Sequence, residues 1–400
     1  MSRGRLNPLG VGLAVGAAGA AGAAGAASLV ADRLRRRQDA ALPEYASLIE
    51  PPTRSVTVTA TDGVPIYAAI DEPPTPTLTA SGQPRPTVVL SHGYCLTSEC
   101  WVLQRRALTR AGYRVVTWDQ RGHGRSGLGA RSHYWIDQLG EDLHSVVQAT
   151  TPQGPLAFGG HSMGGMTTMA MAESHPDVIV ERTVAFACIS TSPGGIRLAN
   201  TVTGTIGLTL LEKLGPGVFH QLQRRPQLLA SLLRANKDLA DFLVERYSFA
   251  SPVPRSVVRL TAKMLLGNDL TVVSDFVPTF NAYDKTSALR HFAGVETLVF
   301  NGVQDILTPP DHSELIVRGI PGAEHVVIRD AGHVIMLEHP ELLNEQILEL
   351  LDRADLAAAR HVHVDEKPRV TRIVTPLAKK RQVREGLQQM RHQRRHHVAP

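Results

Sequence analysis

The sequence predicts an α/β protein, with a mostly parallel sheet, helices on both faces and a helical insertion. Three observations carry this reading. Short apolar runs alternate with helical periodicities between residues 87 and 189. That rhythm breaks over residues 192–292, where Leu228, Leu229, Leu232, Leu233, Leu239 and Leu243 recur at helical spacing. It resumes from residue 297.

The elements follow in order. Residues 55–60 alternate in β fashion before an Asp62-Gly63 turn, and a Pro/Thr-rich stretch over 73–86 reads as an exposed hairpin or loop. Strands are expected at 87–90, 114–117, 156–159 and 183–189, with helices near 101–111, 136–150 and 163–174 between them. Such short, wholly apolar strands suit a parallel sheet covered on both faces. Residues 192–292 read as an inserted helical cap, after which strands at 297–300 and 325–328 and helices near 312–318 and 340–351 complete the core. The expected organisation is an Ala/Gly-rich segment over 1–37, a linker over 38–54, a core of 55–191 and 293–355, the cap over 192–292, and a basic, disordered tail over 356–400.

Composition narrows the function classes. Of 400 residues, 43% are hydrophobic and 20% charged, which disfavours wholesale disorder, collagen-like repeats and a polytopic membrane protein. Cys95, Cys100 and Cys188 are too few and too oddly spaced for a disulfide framework or a zinc signature, so they read as buried thiols. The net charge of +5 is unevenly spread: residues 1–37 carry +5 and residues 367–400 carry +9, which leaves −9 on the middle. An acidic body with basic ends is a poor nucleic-acid binder, although either end could meet an anionic membrane surface.

From Pro8 to Ala31 no residue is charged, and 24 helical residues are long enough to cross a bilayer. Ten Ala and six Gly make that segment only weakly apolar. A membrane anchor is the leading expectation, with the body cytoplasmic because Arg33, Arg35, Arg36 and Arg37 follow the segment. A cleaved signal that sends the body to the envelope or outside the cell, and a cytoplasmic chain with no working anchor, are the alternatives.

The chemistry centres on Gly160-His161-Ser162-Met163-Gly164, placed between an apolar strand and a helical run. In that setting G-x-S-x-G forms a sharp strand-to-helix turn, in which the glycines make room and the serine is presented as a nucleophile. A serine hydroxyl needs a base to take its proton and a carboxylate to orient that base. Asp305 follows the strand at 297–300 and His333 follows the one at 325–328, in the chain order Ser, Asp, His that such a sheet requires. After the strand at 87–90 comes Ser91-His92-Gly93-Tyr94, so the oxyanion donors are assigned to the backbone N–H groups of Tyr94 and Met163. In the loop from Asp119 to Ser126, Asp119 and Arg121 are expected to be anchors, and His92, His123 and His161 to be structural.

Taken together, the His-Gly turn, Asp119-x-Arg121-Gly122-His123-Gly124, the serine pentapeptide, Asp305 and His333 resemble the α/β-hydrolase superfamily over roughly residues 55–355. Within it the chain is similar to capped bacterial esterase, lipase and perhydrolase-like members, and Ser162-Met163-Gly164-Gly165 is similar to the monoacylglycerol lipases. The resemblance implies an eight-stranded, mostly parallel sheet with a cap over the site. Ser162 stands where epoxide hydrolases and haloalkane dehalogenases of this fold carry aspartate, which disfavours those activities. The ends and the Pro/Thr-rich insertion lie outside the resemblance.

The expected activity is therefore cleavage of a carboxylic ester or thioester through Ser162, His333 and Asp305, with an acyl-enzyme intermediate and no metal or organic cofactor required. The apolar insertion suggests a hydrophobic or lipid-like acyl substrate. Two alternatives stand: a perhydrolase or acyltransferase that uses the same three residues with peroxide or an alcohol as acceptor, and a non-catalytic membrane-associated protein that keeps the fold. The sequence does not set the oligomeric state.

Overall fold

The computed structural model describes residues 49–75, 78–79, 82–195, 237–360 and 370–374. The segment expected to be an anchor or signal, most of the linker, residues 196–236 of the expected cap and most of the basic tail lie outside the described residues. Among the described residues no helix is long and apolar enough to cross a membrane.

Nine strands form one sheet in the order β1-β2-β4-β3-β5-β6-β7-β8-β9. They are β1 (Arg54–Thr59), β2 (Pro65–Asp71), β3 (Thr87–Ser91), β4 (Val115–Trp118), β5 (Leu156–His161), β6 (Thr183–Ile189), β7 (Glu296–Gly302), β8 (Glu324–Ile328) and β9 (Val370–Val374). The hairpin β1-β2 turns at Asp62-Gly63, where Gly63 has φ 87°. β2 joins β4 antiparallel, and every later pairing is parallel. The Pro/Thr-rich stretch leaves the sheet after β2 and is pinned by a bridge between Leu78 and Pro84.

The helices are α1 (Val102–Arg110), α2 (Ile136–Thr150), α3 (Met163–Ser174), α4 (Lys237–Ser248), α5 (Arg255–Gly267), α6 (Leu270–Ala282), α7 (Pro310–Gly319), α8 (Ile335–Glu338) and α9 (Pro340–Arg360). Successive strand residues point to opposite faces, so two cores form. Val88, Leu90, Leu298 and Phe300 pack on one face with Trp101, Leu108, Leu343 and Ile347 of the α1 and α9 side. Val89, Phe158, Phe186 and Val299 pack on the other with Leu143, Met169 and Ile316 from α2, α3 and α7. Full coverage of both faces explains why the central strands read as unbroken apolar runs.

The described part of the insertion is helical. Val257, Val258 and Leu260 of α5 join the first core, whereas Val272, Phe276 and Phe280 of α6 cluster with Tyr134, Met163 and Met166. The side chain of Asp269 accepts from Thr271 N (2.7 Å) and starts α6 as its N-cap.

Two expectations are corrected. The sheet has nine strands rather than eight, because Val370–Val374, assigned to the disordered tail, pairs in parallel with β8. Four of its five residues are β-branched, a strand signal hidden by basic surroundings. Arg372 fixes it from the middle through a hydrogen bond to Gln346 Oε1 (2.7 Å) and an ion pair with Glu324. The boundary expected at residue 356 also falls inside α9, where Ala357, Ala358 and Ala359 favour continued helix.

Candidate active site

β5 runs through the middle of the sheet and ends at His161, one residue before the turn. Ser162 sits at φ 51° and ψ −119°, a left-handed backbone rare for a side-chain-bearing residue, and α3 begins at the next position. Neighbouring bonds hold it there: Ser162 N donates to Ile189 O (3.0 Å), and its carbonyl accepts from Gly165 N (3.0 Å) and Thr191 Oγ1 (2.7 Å). The two glycines of the motif are required by contact. A Cβ on Gly164 would lie 2.1 Å from Ser91 O, and one on Gly160 would lie 2.5 Å from the backbone of Gly165. As the first residues of a helix, Met163 and Gly164 have N–H groups with no carbonyl one turn back, and the helix dipole is positive at that end.

Asp305 and His333 meet although 28 residues separate them. Parallel β7 and β8 deliver both loops to the same carboxyl edge of the sheet. The Asp305 carboxylate accepts from His333 Nδ1 (2.8 Å to one oxygen, 3.0 Å to the other), Leu307 N (2.9 Å), Thr308 N (3.0 Å) and Thr308 Oγ1 (2.9 Å). Burial works to raise the Asp305 pKa, but the adjacent His333 and the Thr308 donors outweigh it and hold the carboxyl below its usual range. A charged carboxylate fixes the ring so that Nδ1 carries the proton and Nε2 presents a lone pair.

Ser162 is tied to this corner through the residue before it. His161 Nε2 donates to the His333 carbonyl (2.9 Å), and the two rings lie 4.7 Å apart between centroids. Burial and the neighbouring His333 push the His161 pKa down to about 3, so the ring is neutral, and its Nδ1 has no hydrogen-bond partner. His161 is thus a structural residue, but it braces His333 as well as packing beneath the turn. The His333 loop is clamped from the other side by Glu338, whose carboxylate accepts from Gly332 N (2.7 Å) and Ala250 N (2.9 Å).

The His-Gly turn after β3 lies against Ser162. A Cβ on Gly93 would come 3.2 Å from Ser162 Cβ and 2.5 Å from His161 Nδ1, so only glycine brings the Tyr94 backbone this close. The Tyr94 hydroxyl donates to Val273 O of α6, and its ring packs edge-on against Phe280 (5.1 Å) and Phe276 (6.3 Å). The donor assigned to the oxyanion is therefore carried on a residue held by the insertion.

His92 and His123, the two further histidines expected to be structural, have bonds at both nitrogens. His92 accepts from Gln120 N at Nε2 (2.9 Å) and donates from Nδ1 to Gly93 O (2.8 Å). His123 accepts from Cys95 N at Nε2 (3.2 Å) and donates to Arg121 O (3.0 Å), and burial together with His92 pushes its pKa down to about 3. Asp119 accepts from Ser98 N (2.7 Å) and Arg125 N (2.9 Å), tying two loops together. Arg121 is wholly buried and forms a two-pronged pair with Asp142 (2.6 Å on each prong), with a further bond to Asp62 (2.7 Å). All three cysteines are free; Cys100 and Cys188 are buried and Cys95 is half-buried.

Ser162, Asp305 and His333 are 9%, 2% and 6% exposed, so the site is nearly closed over. A cleft of about 270 Å³ lined by Glu99, Asp119, Arg125, Lys263, Met264 and Asn268 contains none of the three. Sequence reasoning missed Thr308, Glu338 and the bracing bond of His161. Thr308 had a faint signal, an Asp-x-x-Thr spacing before Pro309-Pro310, whereas Glu338 had none because its partners are distant in the chain.

A parallel sheet whose fifth strand ends in a strained serine, with a buried Asp-His pair at the same edge, defines an α/β-hydrolase-fold enzyme. A family model described as alpha/beta hydrolase fold matches residues 86–340, and the chain belongs to that family. It is 26% identical over 278 residues to a protein of Agrobacterium fabrum named as a carbamate hydrolase, RutD, with 68% of this chain and 94% of that protein covered. It is 25% identical over 260 residues to Lipase 3 of a Moraxella species, covering 64% of this chain and 74% of the lipase. Among solved structures, an esterase from Exiguobacterium antarcticum superposes with a TM-score of 0.57 at 19% identity over 74% of this chain and 98% of its own, a likeness of fold.

Proposed function

We propose that the protein is a serine hydrolase that cleaves a carboxylic ester or thioester with a hydrophobic acyl group. The buried Asp305-His333 contact at the edge where Ser162 is presented carries this reading. His333 Nε2 takes the Ser162 proton as Oγ attacks the carbonyl carbon, and Asp305 stabilises the imidazolium. The backbone N–H groups of Tyr94 and Met163 hold the oxyanion. The tetrahedral species then collapses: the C–O or C–S bond breaks, His333 returns the proton to the leaving alcohol or thiol, and Ser162 keeps the acyl group. Water, deprotonated by the same nitrogen, attacks the acyl carbon; the bond to Ser162 Oγ breaks, His333 returns the proton to Oγ, and the acid leaves.

The apolar preference is supported by the aromatic cluster of Tyr94, Tyr134, Phe276 and Phe280 around Met163, with α6 acting as the cap over the turn. The names of the lipase and the esterase agree with an ester, and the name of RutD points to a carbamate as a further substrate to include.

The test is chain-length profiling with p-nitrophenyl esters and an aryl carbamate, alongside fluorophosphonate labelling, on the wild type and Ser162→Ala. The expected result is turnover that favours medium or long chains, with kcat lower by about 10⁴-fold or more and labelling abolished in the variant. Labelling that persists in Ser162→Ala overturns the assignment. Adding peroxide or an alcohol as competing acceptor separates hydrolysis from perhydrolysis and acyl transfer.

A further inference from the structure

We propose that Glu141, His144 and His175 form a binding site for one divalent transition-metal ion of the zinc type, joining α2 to the C-terminal end of α3. The site lies outside the Ser162 corner and does not depend on the proposed reaction.

Glu141 and His144 are three residues apart on α2, so both project from one helix face. His175 follows α3 directly and closes it, its N–H donating to Met171 O (2.7 Å). The distance between the helices is set by backbone contact: a Cβ on Gly140 would sit 2.8 Å from Met171 N and 3.0 Å from Ala170 C. Gly140 thus lets α2 lie almost directly on α3, and the next residue, Glu141, comes within reach of His175.

One ligand atom from each of the three side chains lies within 4.8 Å of the others, and all three residues are half-buried. Zinc bonds of about 2.0–2.2 Å to nitrogen and oxygen place ligand atoms roughly 3.4 Å apart, so binding requires the three side chains to rotate inward with the two rings splayed. The local bonds already resemble a site with a proton in place of the metal. His175 Nε2 donates to Glu141 Oε2 (2.9 Å), and the Gln148 amide donates to His144 Nε2 (3.2 Å), so an ion would have to displace Gln148 from that lone pair. The two imidazoles stack at 3.6 Å with 11° between their planes, so the rings must tilt apart for both in-plane lone pairs to meet at one ion.

The electrostatics agree with that geometry. Glu141 supplies a carboxylate facing His175, and Asp177 adds negative potential at His144. Two nitrogens and one carboxylate oxygen, with the outer side open for a water, suit zinc, nickel, cobalt or copper(II) better than magnesium or calcium.

The full chain, stripped with chelator, should be titrated with zinc chloride and compared with His144→Ala and His175→Gln. Other histidines of the chain add background sites, so the reading is the difference: each variant should lose one equivalent, or bind it at least tenfold more weakly. Zinc at a hundredfold excess over Kd should raise the wild-type melting temperature by about 5 °C and leave the variants unmoved. Equal stoichiometry, affinity and thermal shift in all three proteins would overturn the proposal. Zinc-edge anomalous diffraction from crystals of the full chain needs no variant. A peak within about 2.3 Å of the three ligand atoms supports the site, and a map with no peak there overturns it.

Discussion

Asp305 combines the two features that most affect a carboxylate, burial and a full set of donors, and the donors prevail. Its folded-state pKa lies below the unfolded value, so the stability it contributes is fully present above about pH 4. As pH falls through the lower folded pKa, that contribution is lost. Asp305→Asn should therefore flatten part of the acid-induced loss of stability, read as a smaller drop in urea midpoint between pH 6 and pH 3 than in the wild type. The same variant should lower kcat by about 10⁴-fold at neutral pH, because an amide stabilises the wrong tautomer of His333. An Asp305→Asn protein with wild-type turnover would remove this residue from the mechanism. At residue scale the candidates Ser162, Asp305 and His333 stood out in the sequence, since each sits in a short motif just after a strand. Thr308 did not, because a threonine earns its role only by facing a buried carboxylate.

At the scale of elements, the loop after β4 acts as a fastener for the nucleophile side of the sheet. Arg121 and Asp142 are both fully buried, which costs desolvation that their mutual two-pronged bond and the bonds from Arg121 to Asp62 offset. Arg121→Met should destabilise the fold by about 3–5 kcal/mol, because the buried Asp142 loses the partner that compensates its burial. Adding Asp142→Leu should recover most of that loss. Equal denaturation midpoints for the single and double variants would show that the pair is not the origin of the effect. The loop's role as an anchor was legible from its Asp, Arg and Gly content, but its partner Asp142 was not, since an aspartate on a helix reads as solvent-facing. The parallel strands from β3 to β8 were located because a covered parallel sheet writes itself as apolar runs, whereas β2 was not. The same criterion missed β9, a sheet-edge strand with two-sided exposure and an arginine at its centre.

For the whole molecule, β9 changes where the sheet ends. Without it the buried strand β8 would present an open edge of backbone donors and acceptors. A chain ended after Arg360 should melt several degrees lower and aggregate with rising concentration, whereas one ended after Pro376, which keeps β9, should behave as the full chain does. Calorimetry and light scattering on the two truncations decide this, and identical behaviour would mean that β9 does not protect the edge. By itself the sequence determined the layer order, the strand rhythm and the three residues of the candidate site, because periodicity and turn chemistry are local properties that a single segment can display. The tertiary structure alone decided which partners those residues acquired: Thr308 on Asp305, His161 and Glu338 around His333, Asp142 on Arg121, and His175 beside Glu141 and His144. Such contacts join segments far apart in the chain, and their choice depends on packing distances that no local pattern contains.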